Sequence, residues 1–177
     1  MTGMSPAVPR PSNLSQAQIS SIAKDFSEFV DYKPGGNLKE LVSRLGGTIT
    51  YHDFWGGNSP SSGSIEIKGD DIEIRLALDT GPLRDRFTIA HELGHYVLHY
   101  LYPNQVGDEK ITWLTADRYG SGQVETEANW FAAAFLMPEG EFREAFERGN
   151  GDLISVALLF GVSQQAAAVR AKVLRLL

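Results

Sequence analysis

An almost entirely apolar segment near the middle of the chain, residues 87–101, contains two histidines and a glutamate within a single helical turn of one another. Its apolar residues are spread nearly all round a helix of 3.6 residues per turn, which is the pattern of a buried helix. His91, Glu92 and His95 are therefore expected in the interior, where polar groups without partners would cost several kcal/mol. The chain must fold so that this helix is enclosed and these three side chains are satisfied.

The spacing of the two histidines indicates a metal site. His91 and His95 are four residues apart, so their imidazoles share one helix face and can reach a single ion. Glu92 lies one position round, where a carboxylate can take a proton from a zinc-bound water whose pKa is lowered toward about 7. The alternative is a core helix with hydrogen-bonded histidines. Gly94, which weakens the helix, indicates the close approach of another segment or of substrate.

A catalytic zinc ion needs a third protein ligand, and a chain without cysteine must supply it from His, Asp or Glu. Residues 124–138 are Ala-rich and apolar, and predict a second helix that ends near Pro138. Within it, Glu125 and Asn129 share a face, whereas Glu127 points away from Asn129. We predict Glu125 as the third ligand and Asn129 as a residue that orients a ligand histidine. Glu127 is the alternative ligand, and two surface glutamates are the simpler interpretation.

Two motifs carry a family resemblance. The segment 86–95, Arg-Phe-Thr-Ile-Ala-His-Glu-Leu-Gly-His, and the segment 125–138, which runs from Glu125 to Pro138, closely resemble the ImmA/IrrE family of zinc metallopeptidases in order and spacing. The resemblance covers residues 38–175, and Phe135 stands where leucine is usual. It implies Zn²⁺ held by His91, His95 and Glu125, with Glu92 as the general base. It also implies cleavage of a partner transcriptional repressor, typically a helix-turn-helix protein. Manganese or iron could use the same ligands.

The connection between the two motif helices, residues 102–122, shows little periodicity and is predicted to be a long functional or mobile loop. Within it, Arg118 and Tyr119 are candidates to hydrogen-bond the oxyanion that forms during peptide hydrolysis. His99 is interpreted as a satisfied core or surface histidine and not as a ligand. Arg86 is expected to pair with a carboxylate in a structural role.

The remaining pattern predicts an α+β fold, in which a small, mainly antiparallel sheet packs against the two motif helices. The predicted elements are helices at 14–32, capped by Ser15, and at 38–45, with strands at 48–52, 64–68 and 71–78. The last two strands form a hairpin around Gly69-Asp70. Strand 71–78 is either an edge that pairs with extended substrate or an internal strand, and the sequence favours neither.

The C-terminal residues 152–170 have a helix-turn-helix pattern, in which Gly161 makes the turn and Ser163 caps the second helix. Three basic residues, Arg170, Lys172 and Arg175, could meet phosphates, but they belong to a chain of net charge -6. We therefore expect a helical pair that packs on the rest of the protein or helps to hold a protein partner. Direct nucleic-acid binding is not expected.

The 177 residues are expected to form one main domain. The predicted division is a flexible N-terminal tail at 1–13, a zinc metallopeptidase domain at 14–148 and the helical pair at 149–177. No apolar run approaches the roughly 18 residues of a membrane span, and the start lacks a signal pattern. Together with the absence of cysteine, these features predict a cytoplasmic protein that does not bind membranes.

Overall fold

The fold is α+β, as predicted. The computed structural model describes residues 5–53, 63–117 and 122–177. In chain order, its elements are α1 (Gln16–Phe29), α2 (Leu38–Arg44), β1 (Gly47–His52), β2 (Gly63–Lys68), β3 (Asp71–Ala77), α3 (Pro82–His95), α4 (Tyr102–Val106), β4 (Trp113–Asp117), α5 (Gly122–Leu136), α6 (Glu139–Arg148), α7 (Leu153–Phe160) and α8 (Gln164–Val173). A π-helical stretch, Tyr96–Leu101, joins α3 directly to α4.

The four strands form one sheet in the order β1-β3-β2-β4. β2 is antiparallel to both β3 and β4, whereas β1 is parallel to β3, so the sheet is mixed with a mainly antiparallel character. β3 is hydrogen-bonded on both sides, and the interpretation of 71–78 as a substrate-binding edge is wrong. Its alternate residues Ile72, Ile74 and Leu76 are buried, which suits an internal strand.

The prediction of a loop for the connection 102–122 is wrong for part of its length. It begins with α4 and contains β4, which closes one side of the sheet by pairing with β2. Leu114 and Ala116 are buried and alternate with more exposed neighbours, the pattern of a strand with one face on the core. The strand is too short for its alternation to stand out in the sequence.

The N-terminal residues that the structure describes are docked, which corrects the prediction of a flexible tail for residues 5–13. Ala7 pairs with β4: its N–H donates to Trp113 O at 2.8 Å, and its carbonyl accepts from Thr115 N at 3.1 Å. The following helix, α1, begins after Ser15, which caps it as predicted. The structure adds the Gln18 side chain, which bonds back to the Ser15 backbone N–H. The segment therefore covers part of the edge that β4 would otherwise present to solvent.

The helices α3 and α5 cross closely at Gly94. A Cβ atom added to Gly94 would lie 3.1 Å from both the Cα and the carbonyl oxygen of Ala128, and 3.3 Å from Phe131 Cβ. Neither helix backbone can retreat without disturbing the core, because Leu93 and Phe131 are fully buried on either side of the crossing. The close approach that Gly94 indicated is thus made by α5, and it brings the two motif helices together.

The C-terminal pair α7–α8 forms as predicted and packs on the same core. Gly161 ends α7 in the left-handed region at φ 63°, and Ser163 caps α8 by accepting from Ala166 N. Phe160 is fully buried, and its ring centroid lies 5.4 Å from that of Phe142 in α6. The helices on the two sides of the proposed boundary between residues 148 and 149 pack together continuously. The structure does not divide the chain there, and the boundary stays a prediction.

Among the residues that the structure describes, no single helix is both long and apolar enough to cross a membrane. Helices α7 and α8 meet those limits by length and composition only as a pair, and they are bent by 102° relative to each other.

The α3–α5 crossing predicts opposite effects for two glycine-to-alanine substitutions. Gly94→Ala should lower the free energy of unfolding by about 1–3 kcal/mol, because the new methyl group meets helix backbone that cannot move aside cheaply. Gly140→Ala, in the first turn of α6, meets nothing within 4 Å and should be neutral or raise it by up to about 1 kcal/mol. Urea unfolding measures both, and stabilisation of similar size in the two variants would contradict the crossing.

Candidate metal centre

Three side chains from α3 and α5 converge in the interior. The Nε2 atoms of His91 and His95 lie 3.2 Å apart. Glu125 reaches both from α5, with Oε2 at 3.1 Å from His91 Nε2 and Oε1 at 3.3 Å from His95 Nε2. Both histidines are 1% exposed, whereas the Glu125 side chain is 19% exposed, so the cluster opens to one side only. Among the described residues, this is the group of histidine and acidic side chains that could hold a metal ion.

The amide of Asn129 fixes the protonation of His91. Asn129 Oδ1 lies 2.9 Å from His91 Nδ1, and a carbonyl oxygen can only accept, so Nδ1 carries the hydrogen. The Nε2 atom of neutral His91 then presents a lone pair to the cluster. Asn129 is four residues after Glu125 on α5, which is the shared face that the sequence predicted.

A longer chain of hydrogen bonds fixes the protonation of His95. Glu127 accepts the backbone N–H groups of Ser12, at 2.9 Å, and of Asn13, at 3.1 Å, so it is held as a carboxylate. His99 Nε2, 2.9 Å from Glu127 Oε2, must therefore donate, and neutral His99 accepts through Nδ1. His95 Nδ1, 3.0 Å away, is then the donor to His99. This relay leaves His95 Nε2 with a lone pair that faces the cluster.

The donor set fits a tetrahedral zinc ion. Two nitrogen lone pairs and a carboxylate meet within 3.1–3.3 Å of one another, an arrangement that repels itself unless a cation lies between the atoms. Ligands placed at about 2.0–2.1 Å in a tetrahedron are about 3.3–3.4 Å apart, close to the separations observed. Three protein ligands would leave one position for water or substrate, as a catalytic zinc site requires.

The ionisation states favour metal binding. Burial lowers the pKa of His95 to about 4, with help from the neighbouring His91 and His99, so this ring is neutral near neutral pH. Burial opposes the charge on Glu125, but the imidazoles of His91 and His95, at 3.1 and 3.3 Å, hold its pKa well below the usual range. Burial alone would lower the pKa of His91. Glu125 and Glu92 act in the opposite direction, and the net result is a raised pKa. A metal ion would take the place of the proton on His91 Nε2.

Glu92 is 1% exposed and lies beside this cluster, close enough for its charge to act on His91. Gly63, the first residue of β2, packs against it: a Cβ atom there would lie 3.1 Å from Glu92 Oε1 and would clash with Thr88. The glycine therefore makes room for the Glu92 carboxylate beneath the sheet. Nothing in the pattern of β2 indicated this role.

Several of the predicted residues are placed away from the cluster. Glu127, the alternative ligand, faces His99 and the N-terminal segment, and does not contact His91 or His95. His99 is a buried and satisfied histidine, as interpreted, but its direct bond to His95 was missed although the four-residue spacing repeats that of the motif. Arg118 and Tyr119 lie outside the described residues, and their oxyanion role stays a prediction.

Arg86 has a structural role, but the prediction of a carboxylate partner is wrong. Its guanidinium donates to the carbonyl oxygens of Gly36 and Gly161 and to the hydroxyl of Tyr32, at 2.6–3.1 Å. The carbonyls at two chain turns are strong acceptors, so the planar five-donor group binds them without an acidic residue. Arg86 thereby ties α3 to the loop before α2 and to the turn between α7 and α8.

Comparison with known proteins identifies the family of this chain. Residues 58–172 match the sequence profile of the Peptidase M78 family, described as the IrrE N-terminal-like domain. Over 71 residues the chain is 39% identical to the radiation response metalloprotease IrrE of Deinococcus radiodurans, covering 38% of this chain and 20% of that protein. A solved structure described as a Mycobacterium tuberculosis transcriptional regulator has the same fold, with a TM-score of 0.63 at 22% identity, over 91% of this chain and 48% of that one.

The family match and the His-His-Glu cluster support the metallopeptidase class for this domain. The chain belongs to the Peptidase M78 family. It spans less than half the length of the two relatives described, 20% of one and 48% of the other.

The ligand geometry predicts that Glu125→Ala loses tight metal binding, because two imidazoles alone leave the ion underligated. Elemental mass spectrometry should find about one metal ion per chain in the parent and little in the variant. Glu144→Ala, which changes an exposed glutamate of α6, is the matched control and should retain the metal. Full retention in Glu125→Ala would show that the third ligand is another residue.

The relay predicts that two substitutions of His99 differ. Glutamine can accept from His95 and donate to Glu127 at once, whereas leucine can do neither. His99→Leu should weaken zinc affinity by about 10–100-fold, and His99→Gln by only a few-fold. Competition with a chromophoric chelator gives the affinities.

A control variant distinguishes loss of ligand positioning from general destabilisation of the fold. Tyr32→Phe removes a buried hydroxyl that serves Arg86 and not the relay. It should lower the free energy of unfolding of the metal-free protein and leave zinc affinity unchanged. Equal zinc affinities for His99→Leu and His99→Gln would contradict the relay.

Proposed function

We propose that this chain is a zinc-dependent endopeptidase that cleaves one specific partner protein, a helix-turn-helix transcriptional repressor. The observation that carries the chemistry is the convergence of His91 Nε2, His95 Nε2 and the Glu125 carboxylate within 3.1–3.3 Å of one another. Membership of the Peptidase M78 family supports the same reaction class. The repressor substrate is supported by the likeness of the two motifs to the ImmA/IrrE family.

His91, His95 and Glu125 would hold the zinc ion. When bound, zinc supplies a Lewis acid that polarises the scissile carbonyl and makes a coordinated water acidic enough to attack near neutral pH. The protein's part is to keep the three ligands deprotonated and aligned before substrate arrives. Asn129 does so for His91, and the relay through His99 and Glu127 does so for His95.

Glu92 is proposed as the general base. Its carboxylate takes a proton from the attacking water as the water oxygen bonds to the carbonyl carbon. The same carboxylate then gives that proton to the amide nitrogen as the C–N bond breaks, so the products are a carboxylic acid and an amine. The enclosure of Glu92 by Gly63 and Thr88 strengthens its electrostatic effect by excluding water. Arg118 and Tyr119 are proposed to hydrogen-bond the oxyanion.

The rival function is that of a DNA-binding or repressor-titrating regulator with a structural or vestigial metal site. The surface of α8 gives little support to DNA binding, because Arg170 is 5% exposed and turned into the protein. Of the three basic residues at the C-terminal end, this leaves Lys172 and Arg175 exposed. A titrating protein would bind its partner without yielding fragments, and this outcome separates it from an enzyme.

Glu92→Gln tests the proposed chemistry. The variant keeps the shape of the side chain and all three proposed ligands, so it should bind zinc as the parent does. Its cleavage rate should fall by at least about 100-fold, because an amide cannot accept the proton. Zinc content and fragment formation are measured on the same preparation. Unimpaired cleavage by Glu92→Gln would remove Glu92 from the mechanism.

The substrate is sought without prior choice of partner. The parent protein or Glu92→Gln is produced in host cells that lack the native gene, and new protein N-termini are compared by mass spectrometry. The proposal expects one dominant cleaved protein, a helix-turn-helix repressor, that appears with the parent alone. Purified repressor should then be cut by the zinc-loaded parent and spared after chelation. Intact repressor in a stable complex would support the titrating regulator.

A further inference from the structure

A cavity of about 590 Å³ lies between α3, α5 and α8, beside the candidate metal centre. It shares a wall with that centre: Asn129, which bonds His91, and Thr88, which packs near Glu92, both line it. The rest of the wall is largely apolar and includes Leu83, Phe87, Trp130, Ala133, Val169 and Val173. A volume of this size holds one or two side chains of a bound peptide.

The charged residues of the cavity all have one sign. Among the residues that the structure describes, its lining contains Arg84 and Arg170 and no aspartate or glutamate, in a chain whose net charge is -6. Arg84, near the start of α3, is exposed. Arg170, on α8, is 5% exposed, so its guanidinium has lost most of its contact with water. The charged side chains that line the cavity therefore favour an anionic ligand over a cationic one.

Most N–H donors of Arg170 make no hydrogen bond within the described residues. Within the described residues its guanidinium makes one hydrogen bond, from Nε to Met137 O at 3.0 Å, near the C-terminal end of α5. This bond uses one of the five N–H donors of the group. Glu139 is near enough for its charge to act on Arg170, but within the described part of the chain the two side chains do not form a salt bridge. A buried guanidinium without a carboxylate partner is costly, and a carboxylate entering the cavity would offset that cost.

We propose that this cavity is a substrate subsite that receives an apolar side chain of the protein substrate together with an adjacent acidic residue. The inference rests on the proposed peptidase function and specifies its substrate. The apolar side chain packs on Phe87, Trp130 and Val169, and the carboxylate binds the Nη atoms of Arg170, with Arg84 at the rim. Asn129, whose Oδ1 is engaged by His91, offers its Nδ2 hydrogens to a substrate carbonyl.

The test is a titration that needs no cleavage. Zinc-loaded Glu92→Gln, labelled with ¹⁵N, is titrated with an acetylated and amidated leucyl-aspartyl dipeptide while the tryptophan indole N–H signals are followed by NMR. The Trp130 signal should move saturably. The Trp113 signal should not, because that indole is bonded to Glu66 away from the cavity. The matched leucyl-asparaginyl and seryl-aspartyl dipeptides should each bind about tenfold more weakly.

Arginine variants locate the carboxylate. Arg170→Gln should weaken binding of the leucyl-aspartyl dipeptide by about tenfold and leave the leucyl-asparaginyl affinity unchanged. If Arg170→Gln does not fold, the surface variant Arg84→Gln replaces it. It should also weaken leucyl-aspartyl binding and spare leucyl-asparaginyl binding, with a smaller effect. Arg148→Gln, an exposed arginine of α6, is the matched control and should bind like the parent. Equal affinity for the two leucyl dipeptides, or no shift at Trp130, would overturn the subsite.

Failure of the subsite and failure of the peptidase are separable. Cleavage of a repressor by the parent, without dipeptide binding at Trp130, overturns the subsite and leaves the peptidase. Charge-dependent dipeptide binding, with no cleavage of any protein by the zinc-loaded parent, overturns the peptidase and leaves an acidic-peptide binding site.

Discussion

The contact on which the rest of the structure depends is the crossing of α3 and α5 at Gly94. The missing side chain lets the helix backbones meet, with Ala128 within 3.1 Å of the position that a Cβ atom would occupy. At this separation Glu125 reaches both histidines of α3, and Asn129 reaches the far nitrogen of His91. Even the methyl group of alanine at position 94 would require the neighbouring backbone to give way by a few tenths of an ångström, about as much as a metal site tolerates.

Burial is the second constraint, because it forces every polar group around the site to have a defined role. The hydrogen bonds are directional: starting from the backbone of Ser12 and Asn13, they pass through Glu127 and His99 and end with a lone pair on His95. The site is thereby prepared for a cation by residues that never touch it. The same hydrogen bonds couple the candidate metal centre to the N-terminal segment. That segment is held at its other end by the edge of β4.

Much of this was readable from local sequence signals. Ser15 marked the start of α1, Gly69-Asp70 placed the hairpin, and the four-residue spacings of His91/His95 and Glu125/Asn129 selected the residues that meet. These signals act within one or two helical turns or across a tight turn, so neighbouring residues suffice to reveal them.

Long-range contacts were not readable in the same way. The parallel pairing of β1 with β3, the docking of Ala7 on β4 and the partners of Arg86 join residues far apart in the chain, and no local period encodes them. Glu127 illustrates the limit: its helical position indicated that it faces away from Asn129, but not that His99 would meet it there.

The most direct test of the account is X-ray absorption at the zinc K-edge on protein purified without chelator and without added metal. The account predicts bound zinc with about four nitrogen or oxygen ligands near 2.0–2.1 Å, and multiple scattering from two imidazoles. One carboxylate and one exchangeable oxygen ligand would complete the set. A spectrum that requires three imidazoles would mean that His99 is a ligand and not a relay, and protein that binds no metal even when zinc is supplied would contradict the central claim.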